Sequence, residues 1–209
     1  MSPEEINVLA WEKQGGLLPA VVQDVLNGRV LMLGYMNKEA LAATIETGHV
    51  TFWSRSKQRL WTKGETSGHT LALVTIESDC DRDSLLLTAA PKGPTCHLGR
   101  ASCFEQAPFN FLADLDDLIR KRRLDRPPGS YTTKLFESGT RRIAQKVGEE
   151  GVETALAAVS ENDEALLSEA ADLIYHLTVL LRSRDLSLHQ AIEVLKERHP
   201  RKEHSTHGL

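Results

Sequence analysis

The hydrophobic pattern of this 209-residue chain changes period near Ala107-Pro108, and that change limits it to two units of different build. Before that point, short β-type runs are punctuated by glycine. Leu17-Leu18-Pro19-Ala20-Val21-Val22-Gln23-Asp24 and Val30-Leu31-Met32-Leu33-Gly34-Tyr35-Met36 read as neighbouring strands joined through Asn27-Gly28, a hairpin turn pair. Asn37 is placed to cap a helix from Lys38 to Ile45 that Gly48 ends. Further strands are expected from Val50 to Trp53, from Thr70 to Ile76 and from Ser84 to Thr88. Beyond the change, apolar residues recur at helical spacing through Leu112, Leu115, Leu118 and Ile119, through Ile143, Val147, Leu156 and Val159, and through Leu166, Ala170, Leu173, Ile174, Leu177 and Leu181. Pro127-Pro128-Gly129 separates the first two helices, and Ser187-Leu188-His189-Gln190 has the form of a capping box opening a last one. The expectation is two domains: a mainly β (α+β), metal-binding one over 1–108 and an all-α helical bundle over 109–209, with a frayed polar tail after Pro200.

Hydrophobic residues make up 41% of the chain and charged residues 26%, enough to bury a core in each unit. A formal net charge of −4 gives no whole-protein case for nucleic-acid binding. The basic run Arg120-Lys121-Arg122-Arg123 lacks interleaved aromatics and reads as a solvated helix face. With no apolar run near the length of a membrane span and no targeting segment, the expectation is a cytoplasmic protein without a membrane partner.

The chemistry of the first half centres on three cysteines. Asp79-Cys80-Asp81-Arg82-Asp83 precedes Cys96-His97 and Cys103, with the last two cysteines expected on loops. On an extended strand Asp79, Asp81 and Asp83 would share one face, with Cys80 and Arg82 on the other. Carboxylate oxygens suit Mg2+ and thiolates suit Zn2+, so the segment reads as two metals at one site. Core packing could also account for three cysteines, since the residue type is often buried. A lone disulfide fits poorly with a reducing cytosol, and no CxxC pair marks a four-ligand structural zinc. Three thiolates suit a catalytic zinc with one position for water, unless His97 or His69 closes the set. An EF-hand is excluded because its sixth and twelfth positions would be Ser84 and Ala90.

In the second half Glu149, Glu150 and Glu153 lie on one side of a helix with Lys146, and Glu169 and Asp172 follow at i, i+3 on the next. If those helices pack antiparallel, five carboxylates converge. Acids at such spacings are common on solvated faces, but crowding like charges is unfavourable without a cation. Inward carboxylates on paired helices are a way to hold metals, and Mg2+ so held clamps phosphates. His176, one turn beyond Asp172, reads as a packed or ion-paired residue outside the site.

These segments resemble the bifunctional histidine-biosynthesis family in which phosphoribosyl-AMP cyclohydrolase is fused to phosphoribosyl-ATP pyrophosphohydrolase. The likeness rests on Tyr35-Met36-Asn37, Phe52-Trp53-Ser54-Arg55-Ser56, Leu60 to His69, the Asp79–Asp83 run, and Gly93-Pro94-Thr95-Cys96-His97-Leu98-Gly99 with Ser102-Cys103-Phe104. In the second half it rests on Ser130-Tyr131-Thr132, Lys146 to Glu153 and Glu169 to His176. The resemblance implies that Cys80, Cys96 and Cys103 bind Zn2+ in a site completed between two subunits of a homodimer, and that Asp79, Asp81 and Asp83 bind Mg2+. It also implies Mg2+ on Glu149, Glu150, Glu153, Glu169 and Asp172, with pyrophosphate lost there first. Zinc-activated water would then open the adenine ring of phosphoribosyl-AMP between N1 and C6, with His97 or His69 moving the proton. Arg55, Lys63 and Ser67 are candidate phosphate contacts; Lys146 is either another or a salt-bridge partner of Glu150. Gly151, where the family often has alanine, and Thr95 are mild departures that remove no ligand.

Two other readings make different demands. A general nucleotide pyrophosphatase with a β recognition domain would not need Cys96 for any catalysis. A zinc-stabilised interaction module would unfold in its first half on losing zinc and turn over nothing.

Overall fold

The computed structural model describes residues 1 and 3–199, so the tail after Pro200 lies outside the described residues. The chain divides into two compact units, Met1–Asn110 and the remainder from Phe111. In the first, β1 (Leu18–Asp24) and β2 (Val30–Met36) form the expected antiparallel hairpin, with Gly28 at positive φ in its connection. Asn37 caps α2 (Lys38–Thr47) by accepting from the Ala40 amide, and Gly48 ends it in the left-handed region. β3 (Thr51–Ser54) pairs with β4 (Arg59–Thr62), a four-residue strand with too little alternation to stand out in the sequence. A short α1 (Pro3–Asn7) and a 3-10 turn at Glu12–Gln14 precede the sheet.

The main sheet runs β2-β1-β6-β5, where β5 is Leu71–Ser78 and β6 is Leu85–Pro91. β1 pairs parallel with β6 and antiparallel with β2, so the sheet is mixed. Leu18, Ala20 and Val22 alternate inward beside Leu85, Leu87 and Ala89, and pack with Leu41, Val50, Phe52 and Trp11 into the core. On the other face Val21 sits between Leu33 and Leu86, and the latter two are exposed.

The second unit is helical: α3 (Phe111–Asp125), α4 (Tyr131–Glu137), α5 (Gly139–Ser160), α6 (Asp163–Ser183) and α7 (Leu188–Arg198). The break at Pro127-Pro128-Gly129 separates α3 from α4, and Ser187 with Gln190 completes the capping box of α7. A two-residue link folds α6 back along α5, which it contacts extensively. The buried core is small, formed by Ile119, Leu135, Ile143 and Val179. The expected apolar stripes are covered only in part: Val159 is 82% and Leu167 70% exposed, with Leu156, Ile174 and Leu177 also open. The basic run is mostly paired, Arg120 and Lys121 with Asp117, and Arg123 with Asp185.

Gly151 lies inside α5, and a methyl group there would meet no atom within 4 Å. Since an interior helical glycine costs about 1 kcal/mol relative to alanine, Gly151→Ala is expected to stabilise the helical unit by about that amount. Urea unfolding followed by circular dichroism would show a raised midpoint; an unchanged or lowered one would refute the expectation.

Candidate functional site

A cavity of about 440 Å3 in the first unit is lined by Lys63, Ser67, His69, Cys96, His97 and Cys103, together with Trp61 from β4 and Thr95. Six residues singled out from the sequence therefore meet at one place. Cys96 is buried and its Sγ lies 4.0 Å from His97 Nδ1. Although Cys103 is exposed as a residue, desolvation of its sulfur pushes the thiol up, and the neighbouring Cys96 adds to the shift, so these two sulfurs adjoin. His69 is boxed in by two glycines at positive φ. A Cβ on Gly64 would run into its backbone carbonyl, and one on Gly93 would come within 2.8 Å of its ring. Lys63 is buried, and its Nζ donates to the His69 carbonyl at 3.3 Å, which leaves most of its donor capacity facing the cavity. Thr95, 3% exposed, has a hydroxyl without a partner. Arg55 is elsewhere, its guanidinium 4.0 Å from the centroid of the Tyr35 ring.

Asp79 to Asp83 is not a strand, which corrects the alternation expected above. It is the turn between β5 and β6, with Arg82 at φ 61°. Asp79 builds the turn: its Oδ1 accepts from the Asp83 and Ser84 amides at 3.0 Å each, and its Oδ2 accepts from Ser84 Oγ at 2.6 Å. These bonds, led by the Ser84 hydroxyl, hold its carboxyl down at about 2. The turn still draws Asp79, Asp81 and Asp83 together, with one oxygen of each within 4.8 Å of the others. Lys13 supplies a cation to Asp81 and, at 2.5 Å, to Asp83, and these partners hold its ammonium well above the usual lysine range. Three hard oxygen donors around a charge of +1 are a set that could hold Mg2+. Cys80 is exposed on this turn, and among the described residues it does not join Cys96 and Cys103 at ligand spacing.

In the second unit Glu150, Glu169 and Asp172 place one carboxylate oxygen each within 4.8 Å of one another across α5 and α6. Burial raises the Glu153 carboxyl, and the charges of Glu150 and Glu169 raise it further, so a fourth acid borders the cluster. Glu149, about 100° round the helix from Glu150, turns instead toward Gln145 at 2.8 Å and Lys146 at 3.0 Å. The five acids thus resolve into a tight trio, one neighbour and one outlier. Lys146 Nζ lies 2.8 Å from Glu150, which gives the salt bridge weighed above. His176 is buried at the trio: its Nδ1 is 2.9 Å from the Asp172 carbonyl and 3.6 Å from Glu150 Oε1, and its Nε2 is 3.1 Å from the Tyr131 hydroxyl. Its i, i+4 spacing from Asp172 signalled this contact, although packing alone explains it equally well.

The model of the family described as phosphoribosyl-AMP cyclohydrolase matches residues 32–105, and that described as phosphoribosyl-ATP pyrophosphohydrolase matches residues 112–199. The chain belongs to the bifunctional HisIE family of histidine biosynthesis. It is 64% identical over 196 residues to the histidine biosynthesis bifunctional protein HisIE of Xanthomonas campestris, covering 94% of this chain and 95% of the relative. It is 57% identical over 201 residues to HisIE of Salmonella typhimurium, covering 95% and 99%, and 58% identical over 196 residues to HisIE of Shewanella oneidensis, covering 93% of each. As a HisIE enzyme the chain joins a cyclohydrolase domain built on a mixed sheet to a helical pyrophosphohydrolase domain. No helix among the described residues is long and apolar enough to cross a membrane.

Proposed function

We propose that the two domains perform consecutive hydrolyses, the helical one first. Glu150, Glu169 and Asp172, with Glu153 beside them and Glu149 behind Lys146, would hold Mg2+ against the triphosphate of phosphoribosyl-ATP, where water releases pyrophosphate. The carboxylates place the reacting phosphates, and Lys146, anchored on Glu150, brings a fixed positive charge to them. His176 holds Glu150 and the α6 backbone in register.

Phosphoribosyl-AMP then enters the cavity of the first domain. Bound Zn2+ there would supply the Lewis acidity that makes water nucleophilic at neutral pH. Adjacent thiols at Cys96 and Cys103 are a soft donor pair that fits this ion, and Cys80 of a second copy would complete it. His97 or His69 takes the proton as the bond between N1 and C6 of the adenine opens. Lys63 and Ser67 hold phosphate, the buried ammonium adding it to the single hydrogen bond it makes with the His69 carbonyl. Arg55, laid on Tyr35, would act at the rim. Mg2+ at Asp79, Asp81 and Asp83 would be the second ion of this domain.

A homodimer accounts for the open apolar positions, Leu33 and Leu86 on the sheet and Leu156, Val159 and Leu167 on the helices. Both reactions belong to the cytoplasm. What most supports the reading is the meeting of Cys96, Cys103, His69, His97, Lys63 and Ser67 at one cavity. Supplying the full chain with phosphoribosyl-ATP, Mg2+ and Zn2+ and identifying products by mass spectrometry tests it. Pyrophosphate together with the ring-opened formimino ribonucleotide is expected. Accumulated phosphoribosyl-AMP would refute the zinc-site assignment, and unchanged substrate would refute both.

A further inference from the structure

Lys13 is held where the fold wants it, not where a surface lysine happens to fall. Leu9 and Trp11 are buried in the core of the first unit, and the indole Nε1 donates to the Ile6 carbonyl at 2.8 Å. The Ala10 amide donates to the Arg82 carbonyl at 2.8 Å, which ties this segment to the β5–β6 turn itself. Gln14 Nε2 adds a contact to Asp83 at 3.4 Å. Between these anchors the Lys13 ammonium reaches both Asp81 and Asp83. Asp79 has its oxygens engaged by Asp83 and Ser84, so Lys13 stands as the cation for the two acids that remain.

We propose that Lys13 is a built-in counter-cation of the Asp79–Asp83 turn, that a divalent ion enters only by displacing its ammonium, and that Lys13 thereby sets the concentration at which the site fills. The inference rests on the reading of this turn as a Mg2+ site. The Lys13 ammonium and the Asp81 carboxylate are half-exposed, so this pair is weak enough for a divalent ion with three carboxylate ligands to displace, while its charge still competes with that ion for Asp81 and Asp83. Lys13 has the reach to swing into solvent, because its tether is the backbone at Ala10 and Trp11 rather than the side chain.

The test uses Mn2+ as probe, titrated into the metal-stripped full chain carrying Glu169→Gln to silence the helical cluster, with free Mn2+ read by electron paramagnetic resonance. In that background Lys13→Gln should bind Mn2+ about three- to tenfold more tightly, as expected from losing one competing charge on two carboxylates. Lys13→Arg keeps the charge and should bind like the parent, which separates competition from any change in folding. Saturable binding that Asp81→Asn abolishes but Lys13→Gln leaves unchanged or weakens would overturn the role of Lys13 and leave the metal site standing. An absence of saturable binding in both the parent and Lys13→Gln would overturn the metal site and this inference together.

Discussion

Cys96→Ser is expected to stop ring opening while pyrophosphate release continues at its normal rate. Phosphoribosyl-AMP would accumulate, and zinc content, measured by atomic absorption, would fall with the activity. Cys96 is buried against the cavity beside Cys103, so its loss removes half of the thiol pair that one chain contributes. Metal activation of water is worth several kcal/mol, which corresponds to a fall on the order of 10^3-fold in kcat. The exposed Cys103 serves as a second test, since Cys103→Ser perturbs packing less and should give the same loss. Because the carboxylate trio belongs to the other unit, phosphoribosyl-ATP consumption should change by less than about twofold, as for sites with no shared partners. Ring opening that survives both substitutions would remove the thiols from the chemistry and favour a recognition role for the β domain.

Glu169→Gln should do the reverse, and it should also stabilise the helical unit. Three carboxylates within 4.8 Å, with Glu153 beside them, repel one another when no ion is bound. Lys146 compensates Glu150 and Glu149 from the α5 side; the amide relieves strain on the α6 side. The metal-free variant should therefore melt a few degrees higher than the parent, as expected for roughly 1 kcal/mol in a domain of this size. Mg2+ should raise the melting temperature of the helical unit in the parent and leave that of the same unit in the variant nearly unchanged. Pyrophosphate release should fall on the order of 10^3-fold, with added phosphoribosyl-AMP still opened. A lower metal-free melting temperature would mean that the trio is held by hydrogen bonds and does not behave as an uncompensated charge cluster.

Local chemistry explains why some of this was legible in the sequence. Asn37, Gly48 and Ser187 act through the backbone within a few residues, and Asn27-Gly28 through its own turn, so each marks its element without help from the rest of the fold. Glu150, Glu169 and Asp172 could be foreseen because helical periodicity and a short link fix their faces. The Asp79–Asp83 run misled for a related reason. Its alternation suggests a strand, yet an aspartate that can bond amides four and five residues ahead prefers to close a turn, and Arg82 accepts the positive φ that the turn demands. Glu149 was grouped with Glu150 although a helix turns it by about 100°, toward Gln145 and Lys146. Lys13, and the approach of Gly93 to the His69 ring, depend on segments well separated in the chain, and no local pattern announces them.

The parallel pairing of β1 with β6 has a consequence for the order of assembly. As the chain leaves the ribosome, β1 and β2 can close on each other at once, but the inner edge of β1 must wait until β6 has been made. Until then β1 carries an unpaired backbone edge, and its inward-facing Ala20 and Val22 lack Leu85, Leu87 and Ala89 beside them. The sheet domain is therefore committed to late, non-local closure, whereas α5 and α6, joined by a two-residue link, meet as soon as both are synthesised. The domain that emerges first has the slower folding topology.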